Sequence, residues 1–368
     1  MLLTWKRALI ACCVLGILGT VVLVSGVVPV KASSGHWQIT RWFLNFASDR
    51  SVSFHSRGVE PPKESGLMNV RLGAVVFQSN CRFCHGLPGE EQPPVAKGMT
   101  PTPPRLDVAL LKKEPRELFY IIQHGVKFAG MPAWPVQTRP DEVWPVVAYV
   151  RQSLKDQKTS LAQTSASELT ALEELPILRA CIDCHGVDGT SQAGKQVPHL
   201  AGQNAAYLKQ ALRSYRSSTR SSGVMMPVAH RLSDDQVDAL SKHYHVANSR
   251  VARGGDATTN SDRERENSET IERGRQLAIG GDRNRKIPSC QKCHGPETSD
   301  RRNEYPHLAG QSKWYLQRQL ELFETRERGG SQTARLMHPI ADKLSDQERS
   351  DLASYYASLK LPVQEQSN

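Results

Sequence analysis

Three short stretches with the same order of cysteine, histidine and glycine are the part of this sequence best suited to chemistry. They are "CRFCHG" from residue 81, "CIDCHG" from residue 181 and "CQKCHG" from residue 290. Two cysteines separated by two residues occur in zinc sites, in redox dithiols and at the attachment point of a c-type haem. One copy of the motif leaves these three alternatives open.

The number of copies and the histidine after each pair favour haem. Zinc prefers four tetrahedral ligands, and three cysteine pairs cannot form closed four-cysteine sites without a remainder. A thioredoxin-type dithiol is expected next to βαβ segments, whereas strand signals are almost absent here. We therefore predict three covalently bound haem c groups, with thioethers and axial nitrogens from Cys81, Cys84, His85, Cys181, Cys184, His185, Cys290, Cys293 and His294.

A methionine follows each motif and is the candidate for the sixth iron ligand. Met131, Met225 and Met337 lie 46, 40 and 43 residues after the motif histidines. A thioether paired with imidazole raises the potential of a haem. Met226 and His338 are neighbouring rivals, but the match of "MMPVAHRLSDDQ" to "MHPIADKLSDQE" favours Met225 and Met337.

A proline downstream of each motif suggests a further contact. The backbone carbonyl near Pro104, Pro198 or Pro306 can accept the ring N–H of the ligand histidine and so fix its orientation. The last two prolines lie in a repeated "PHLAGQ", and we expect His199 and His307 of that repeat on a loop that faces solvent or a propionate.

The surrounding sequence is repetitive and helical, which predicts an all-α protein with three small cytochrome domains. Ser233 with Gln236, and Ser345 with Glu348, have capping-box spacing before amphipathic helices. Gly73 lies where a second helix can approach closely. We predict a membrane anchor at 1–34, a juxtamembrane segment at 35–69, unit one at 70–151, a linker at 152–167, unit two at 168–247, a linker at 248–270, unit three at 271–361 and a tail at 362–368.

The N-terminus predicts a membrane helix. Residues 8–30 carry no charge, and about 20 apolar residues span a bilayer, so we favour an anchor over a cleaved signal. Lys6 and Arg7 favour a cytoplasmic N-terminus, which places the haem domains on the other side of the membrane. The stretch 36–46, with Trp37 and Trp42, fits either the membrane interface or a helix packed on unit one.

Composition bears on the partners. The 368 residues include 47 Lys and Arg against 37 Asp and Glu, a formal charge of +10. No basic run interleaved with aromatic residues favours nucleic acid, so none is predicted as a partner. We expect a redox protein donor and acceptor with acidic docking faces.

These residues resemble known cytochromes. Residues 168–360 resemble the dihaem class I cytochromes c of the cytochrome c4 type, and 70–151 is similar to single domains in the haem subunits of cbb-type oxidases and membrane dehydrogenases. The resemblance implies electron transfer, bacterial export and a helical fold around each haem. With the predicted anchor, bacterial export places the haem domains in the periplasm at the bacterial inner membrane. The resemblance also implies that units two and three pack with their haem propionates near each other. Two features depart from it: "ELPILRA" predicts an irregular first helix in unit two, and the 248–270 linker is long for such tight pairing.

The prediction for function is a membrane-anchored periplasmic trihaem cytochrome. It would carry electrons between a membrane or periplasmic donor and an acceptor such as a terminal oxidase. Full His/Met coordination leaves no open iron position, so we expect no catalysis by this chain. The alternatives are the haem c subunit of a membrane-bound dehydrogenase complex and a haem-based sensor with a labile ligand.

Overall fold

A computed structural model describes residues 4–28, 30–62, 69–87, 90–106, 112–156, 175–191, 193–254, 268–295 and 303–360. For residues 248–254 the description covers the backbone only. Within these ranges the regular structure is helical, and three isolated bridges are the β-type pairing found there. The helices are α1 (Trp5–Val24), α2 (Gln38–His55), α3 (Val70–Asn80), α4 (Arg82–His85), α5 (Pro94–Lys97), α6 (Pro115–His124), α7 (Pro140–Asp156), α8 (Arg179–His185), α9 (Ala205–Arg216), α10 (Met225–His230), α11 (Asp234–Gly254), α12 (Ser268–Gly280), α13 (Gln291–His294), α14 (Lys313–Glu324), α15 (Gln332–Ala341) and α16 (Asp346–Ser358). The all-α prediction is confirmed.

Unit one is held together by the crossing of its first and last helices, α3 and α7. Gly73 lies at the crossing, where an added Cβ would overlap the carbonyl oxygen of Pro145. Phe119 of α6 stacks on Trp144 of α7 with ring centroids 4.4 Å apart. The predicted role of Gly73 in close helix approach is confirmed.

Unit three repeats this architecture. Gly274 of α12 lies against α16, and an added Cβ would overlap the carbonyl oxygen of Asp351. Helix α16 begins with the predicted capping box, in which Ser345 and Glu348 satisfy each other's backbone N–H groups. The repeat therefore extends from the sequence to the packing of the helices.

Unit two has the irregular first helix that its proline predicts. A single 3₁₀ turn at Pro176–Leu178 leads directly into α8. Its last helix, α11, starts with the second predicted capping box: Ser233 Oγ accepts from Gln236 N, and Gln236 Oε1 accepts from Ser233 N.

The predicted linkers are shorter than expected at their described ends. Helix α7 continues to Asp156, α11 continues to Gly254, and α12 already begins at Ser268. The remaining linker residues, 157–167 and 255–267, and the tail at 362–368 lie outside the described residues.

The N-terminal region contains two helices of different character. Helix α1 has 20 residues with a mean hydropathy of 2.4, long and apolar enough to cross a membrane. Helix α2 packs on unit one near its end, where His55 stacks on Tyr120 at 5.9 Å and Asp49 pairs with Lys113 at 2.9 Å. Trp37 and Trp42, near its start, are exposed. The second half of α2 therefore packs on unit one.

Candidate functional site

Each C-x-x-C-H motif forms one helical turn that ends at its histidine. The backbone N–H of His85 donates to the carbonyl of Cys81 at 3.0 Å, and that of His294 donates to Cys290 at 2.9 Å. Residues three and four positions apart on a helix share a face. The two thiols and the imidazole of each motif are therefore presented to the same side.

The three motif histidines make the same hydrogen bond. The Nδ1 atoms of His85, His185 and His294 lie 3.1 Å from the carbonyl oxygens of Pro104, Pro198 and Pro306. Since a carbonyl only accepts, Nδ1 carries the hydrogen and the lone pair is left on Nε2. The predicted proline contact is confirmed in all three units.

Burial also keeps the histidine of unit two in the form that binds iron. Desolvation lowers the pKa of His185 to about 4, despite the hydrogen bond to Pro198. The side chain is therefore neutral at physiological pH, and a neutral imidazole is the ligand form.

The cysteines lie in surroundings unlike those of a reactive dithiol. Burial raises the pKa of Cys81, Cys181 and Cys184 to about 12 and that of Cys290 to about 11. Reactive dithiols and zinc ligands are instead stabilised as thiolates. Within the described ranges, no three His, Cys, Asp or Glu side chains form a cluster suited to a metal ion.

One cavity of about 430 Å³ joins the motifs of units two and three. Most of its wall is apolar, and the candidate ligands on it are Cys181, Cys184, His185, Met225, Cys290, Cys293, His294 and Met337. The structure thus brings each motif of this pair to a shared cavity with its predicted methionine.

The rival ligands are engaged elsewhere. The sulfur of Met226 accepts from the backbone N–H of Ser222 at 3.4 Å, and His338 Nε2 lies 2.8 Å from the carbonyl of Arg328. Met131 of unit one is half-buried, and its carbonyl accepts from Val126 N at 3.1 Å, which closes the loop that carries it.

Two buried arginines on the cavity wall face neutral protein groups. Arg220 donates to the hydroxyl of Tyr315 at 2.9 Å, and Arg328 donates to the hydroxyl of Tyr207 at 2.8 Å. Burial opposes ionisation of Tyr207, but the two guanidinium groups outweigh it and lower its pKa. A buried cation is stable only with an anionic or strongly accepting partner. The cavity therefore fits a ligand that carries carboxylate groups, such as the propionates of haem.

Units two and three are joined by reciprocal contacts. Gln203 donates to His307 O at 2.9 Å and accepts from His307 N at 2.7 Å, while Gln311 makes the same pair of bonds with His199 at 3.0 and 2.9 Å. Such i-to-j and j-to-i contacts are typical of a two-fold interface. His199 and His307 also line the cavity, which fits a position beside a propionate rather than one facing solvent, and the close pairing that the resemblance implies is present despite the long linker.

We predict that Gln203→Glu weakens this pairing. The change replaces the donor facing the His307 carbonyl with a second acceptor, and an unmatched buried polar group costs about 1–3 kcal/mol. Urea denaturation of the haem-loaded protein should show that loss in the free energy of unfolding of units two and three. Gln236→Glu is the matched control, since only its acceptor oxygen is used, and an equal loss there would contradict the prediction.

Sequence reasoning did not identify the joining residues. Gln203 and Gln311 were visible as the end of the repeated "PHLAGQ", which served only to align the units. The repeat did not reveal the two arginines, because their spacing from the methionines differs between the units. Arg220 lies five residues before Met225, and Arg328 lies nine before Met337. Glu142 corresponds in the helix packing to Glu348 of unit three, whose side chain serves a capping box, so the repeat did not indicate that Glu142 contacts another unit.

Comparisons with known proteins agree with this arrangement. Residues 68–150 match the family described as cytochrome C oxidase, cbb3-type, subunit III, and residues 175–244 and 261–360 match the family cytochrome c. The chain is 35% identical over 187 residues to the "Thiosulfate dehydrogenase electron acceptor" of Stutzerimonas stutzeri (strain A1501), covering 50% of this chain and 81% of that protein.

Two other relatives are cytochromes. The chain is 29% identical over 180 residues to "Cytochrome c4" of Pseudomonas aeruginosa, covering 49% of this chain and 83% of that protein. It is 40% identical over 73 residues to "Cytochrome c-554(548)" of Halomonas halodenitrificans, covering 20% of this chain and 87% of that protein.

Proposed function

Because the chain belongs to the multihaem class I c-type cytochromes of the cytochrome c4 type, we propose that it is a three-haem electron carrier anchored in the bacterial inner membrane. Its haem domains lie in the periplasm and carry electrons between a membrane or periplasmic donor and an acceptor such as a terminal oxidase. The chain is not itself catalytic. The histidine-to-proline hydrogen bond that recurs in all three units is the observation that supports the proposal most directly.

The cavity geometry supports the proposed ligand sets of units two and three, and the sequence repeat supports that of unit one. Each cysteine pair holds one haem covalently, the motif histidine supplies Nε2, and the sulfur of Met131, Met225 or Met337 supplies the sixth ligand. A bound haem supplies a one-electron couple at its iron. In units two and three, Arg220 and Arg328 neutralise propionate charge. Six-coordinate His/Met sites have no position for a substrate, which suits a carrier.

The three haem units correspond to residues 70–151, 168–247 and 271–361. Each contains a hydrophobic cluster centred on its own helices. Domains of this size bury limited apolar surface on their own, and a large apolar cofactor in each unit completes the core.

The anchor is α1. Every residue of this helix is outside the protein core, and a 20-residue apolar helix matches the bilayer thickness. The exposed Trp37 and Trp42 near the start of α2 suit the aromatic belt at the membrane surface. The basic excess of the chain favours partners with acidic docking faces, whose association weakens with salt.

A second candidate is the haem c subunit of a membrane-bound dehydrogenase complex. The likeness to proteins named as electron acceptors of thiosulfate dehydrogenase favours it. In that case the catalytic part is a separate chain that supplies the electrons. Purification in mild detergent separates the candidates: a stoichiometric dehydrogenase subunit supports the second, and a single polypeptide supports the free carrier.

The proposal predicts three six-coordinate haems in a membrane-bound protein. The full chain, solubilised in detergent, should contain three covalent haems by mass and haemochrome spectrum. Its reduced form should not bind carbon monoxide, because methionine occupies the sixth position. Fewer haems, a five-coordinate high-spin haem, or recovery of the protein in the soluble periplasmic fraction would each contradict a stated part of the proposal.

A further inference from the structure

Unit one packs directly over the haem-binding side of unit two. Ala193 and Val197 of unit two belong to the same buried hydrophobic cluster as the core of unit one, and Val224, which precedes the predicted ligand Met225, packs against that cluster, as does Cys184. On the other side of the contact, Leu72 and Val76 of α3 line the same cavity as the motif residues of unit two. The two units therefore share a continuous apolar contact at this site.

Glu142 of α7 is the polar centre of the contact. Its carboxylate accepts from Ser222 Oγ and from Gly223 N, each at 2.6 Å, and from Trp134 Nε1 at 3.2 Å. Arg139 lies 3.0 Å away, and the side chain of Glu142 is 8% exposed. A buried carboxylate with four partners is held in one geometry, since any lost partner leaves a costly unpaired group.

The contact of Glu142 continues to the methionine helix. Ser222 Oγ, which donates to Glu142, accepts in turn from the backbone N–H of Met225 at 3.0 Å. Met225 is the first residue of α10. Glu142 thus fixes, through one hydroxyl group, the point at which this helix begins.

The methionine of unit three has a different support. Met337 lies inside the ten-residue α15, which is capped from within its own unit by Ser331, whose Oγ accepts from Ala334 N at 2.9 Å. Helix α10 has only six residues, and a helix this short does not hold itself, because nucleation costs more than its few hydrogen bonds return. The start of α10 therefore depends on contacts from outside.

We propose that unit one completes the second haem site, with Glu142 as a positioning residue that holds Met225 through Ser222. The proposal rests on the ligand role of Met225 stated under the proposed function. It makes the coordination of the second haem dependent on the docking of unit one.

The test is Glu142→Ala in the full-length, haem-loaded protein. We expect the red-region charge-transfer band of methionine-bound ferric haem to fall by about a third, since one of three His/Met haems loses its fixed methionine. One of three reduction potentials should fall, and the other two should stay at their wild-type values. Glu142→Gln keeps an acceptor for Gly223 and should restore most of the band.

Asp141→Ala is the matched control. Asp141 is a similarly buried carboxylate next to Glu142, but it pairs with Arg139 and with Arg318 of unit three and not with the residues that precede Met225. This variant should keep the full band. Equal loss in Asp141→Ala, or an unchanged band and unchanged potentials in Glu142→Ala, would overturn the proposal.

A further variant covers the case in which Glu142→Ala does not fold. Ser222→Ala removes the bridging hydroxyl from the unit-two side and should produce the same selective loss, and an unchanged spectrum would overturn the proposal. The haem count and the charge-transfer band of the wild-type protein are measured first. They distinguish a failure of the proposed function from a failure of the role of Glu142. A wild-type protein without three His/Met haems contradicts the proposed function, whereas normal wild-type spectra with unaffected variants contradict only the role of Glu142.

Discussion

Met337→Ala is expected to remove the methionine-dependent charge-transfer band of the third haem and to lower its reduction potential. Met337 lines the same cavity as His294, whose ring is already hydrogen-bonded to the carbonyl of Pro306. Loss of a thioether ligand favours the ferric state, and a fall on the order of 0.2 V is consistent with the roughly 0.8 V that axial ligands span. Redox titration with visible spectroscopy measures both changes.

The neighbouring His338 provides the control. Its ring is hydrogen-bonded to the Arg328 carbonyl at 2.8 Å, so His338→Gln, which keeps a donor, should leave the band and the potential in place. An unchanged band and potential in Met337→Ala, together with a shifted potential in His338→Gln, would reverse the ligand assignment of the third unit.

Gly274→Val is expected to destabilise unit three severely. An added Cβ at this position would overlap the carbonyl oxygen of Asp351 and lie 2.9 Å from the Cβ of Tyr355. Both belong to α16, so the clash is relieved only by moving a whole helix away from α12. Overpacking typically costs about 1–3 kcal/mol, and a backbone clash of this kind lies at or above the upper end.

The measurement is urea denaturation of the haem-loaded protein, with the absorbance of its haems as the probe. Gly280→Ala is the control on the same helix, because a Cβ there would have no heavy atom within 4 Å. That variant should be neutral or more stable by about 0.5–1 kcal/mol, as expected for glycine to alanine in a helix. Similar stability of Gly274→Val and the wild type would show that the helices can separate without cost.

The sequence by itself determined the local chemistry of each unit. Cysteine, cysteine and histidine within five residues occupy one helical turn, so their common face follows from helix geometry alone. The capping boxes at Ser233 and Ser345 are equally local. The proline contacts were also predictable, because 12 to 19 residues separate each histidine from its proline within a unit that repeats three times.

The repeat also determined the choice between adjacent candidates. The alignment of units two and three favoured Met225 over Met226 and Met337 over His338 as the ligand. In the structure the preferred residues line the cavity and their neighbours bond elsewhere, which supports this choice, and the ligand roles stay a prediction. Gly73 likewise predicted a close helix approach, although its partner on α7 could not be read from the sequence.

Only the tertiary structure decided how the units meet. The bonds between Gln203 and His307 join residues 104 positions apart, and those between Glu142 and Ser222 join residues 80 apart. No periodicity or spacing connects such residues, because their distance depends on how whole units are oriented. For the same reason the sequence did not show that the backbones of His199 and His307 bond to glutamines of the other unit. A short motif fixes the ligands of a haem, whereas the packing of one unit on another fixes which residues from outside support them.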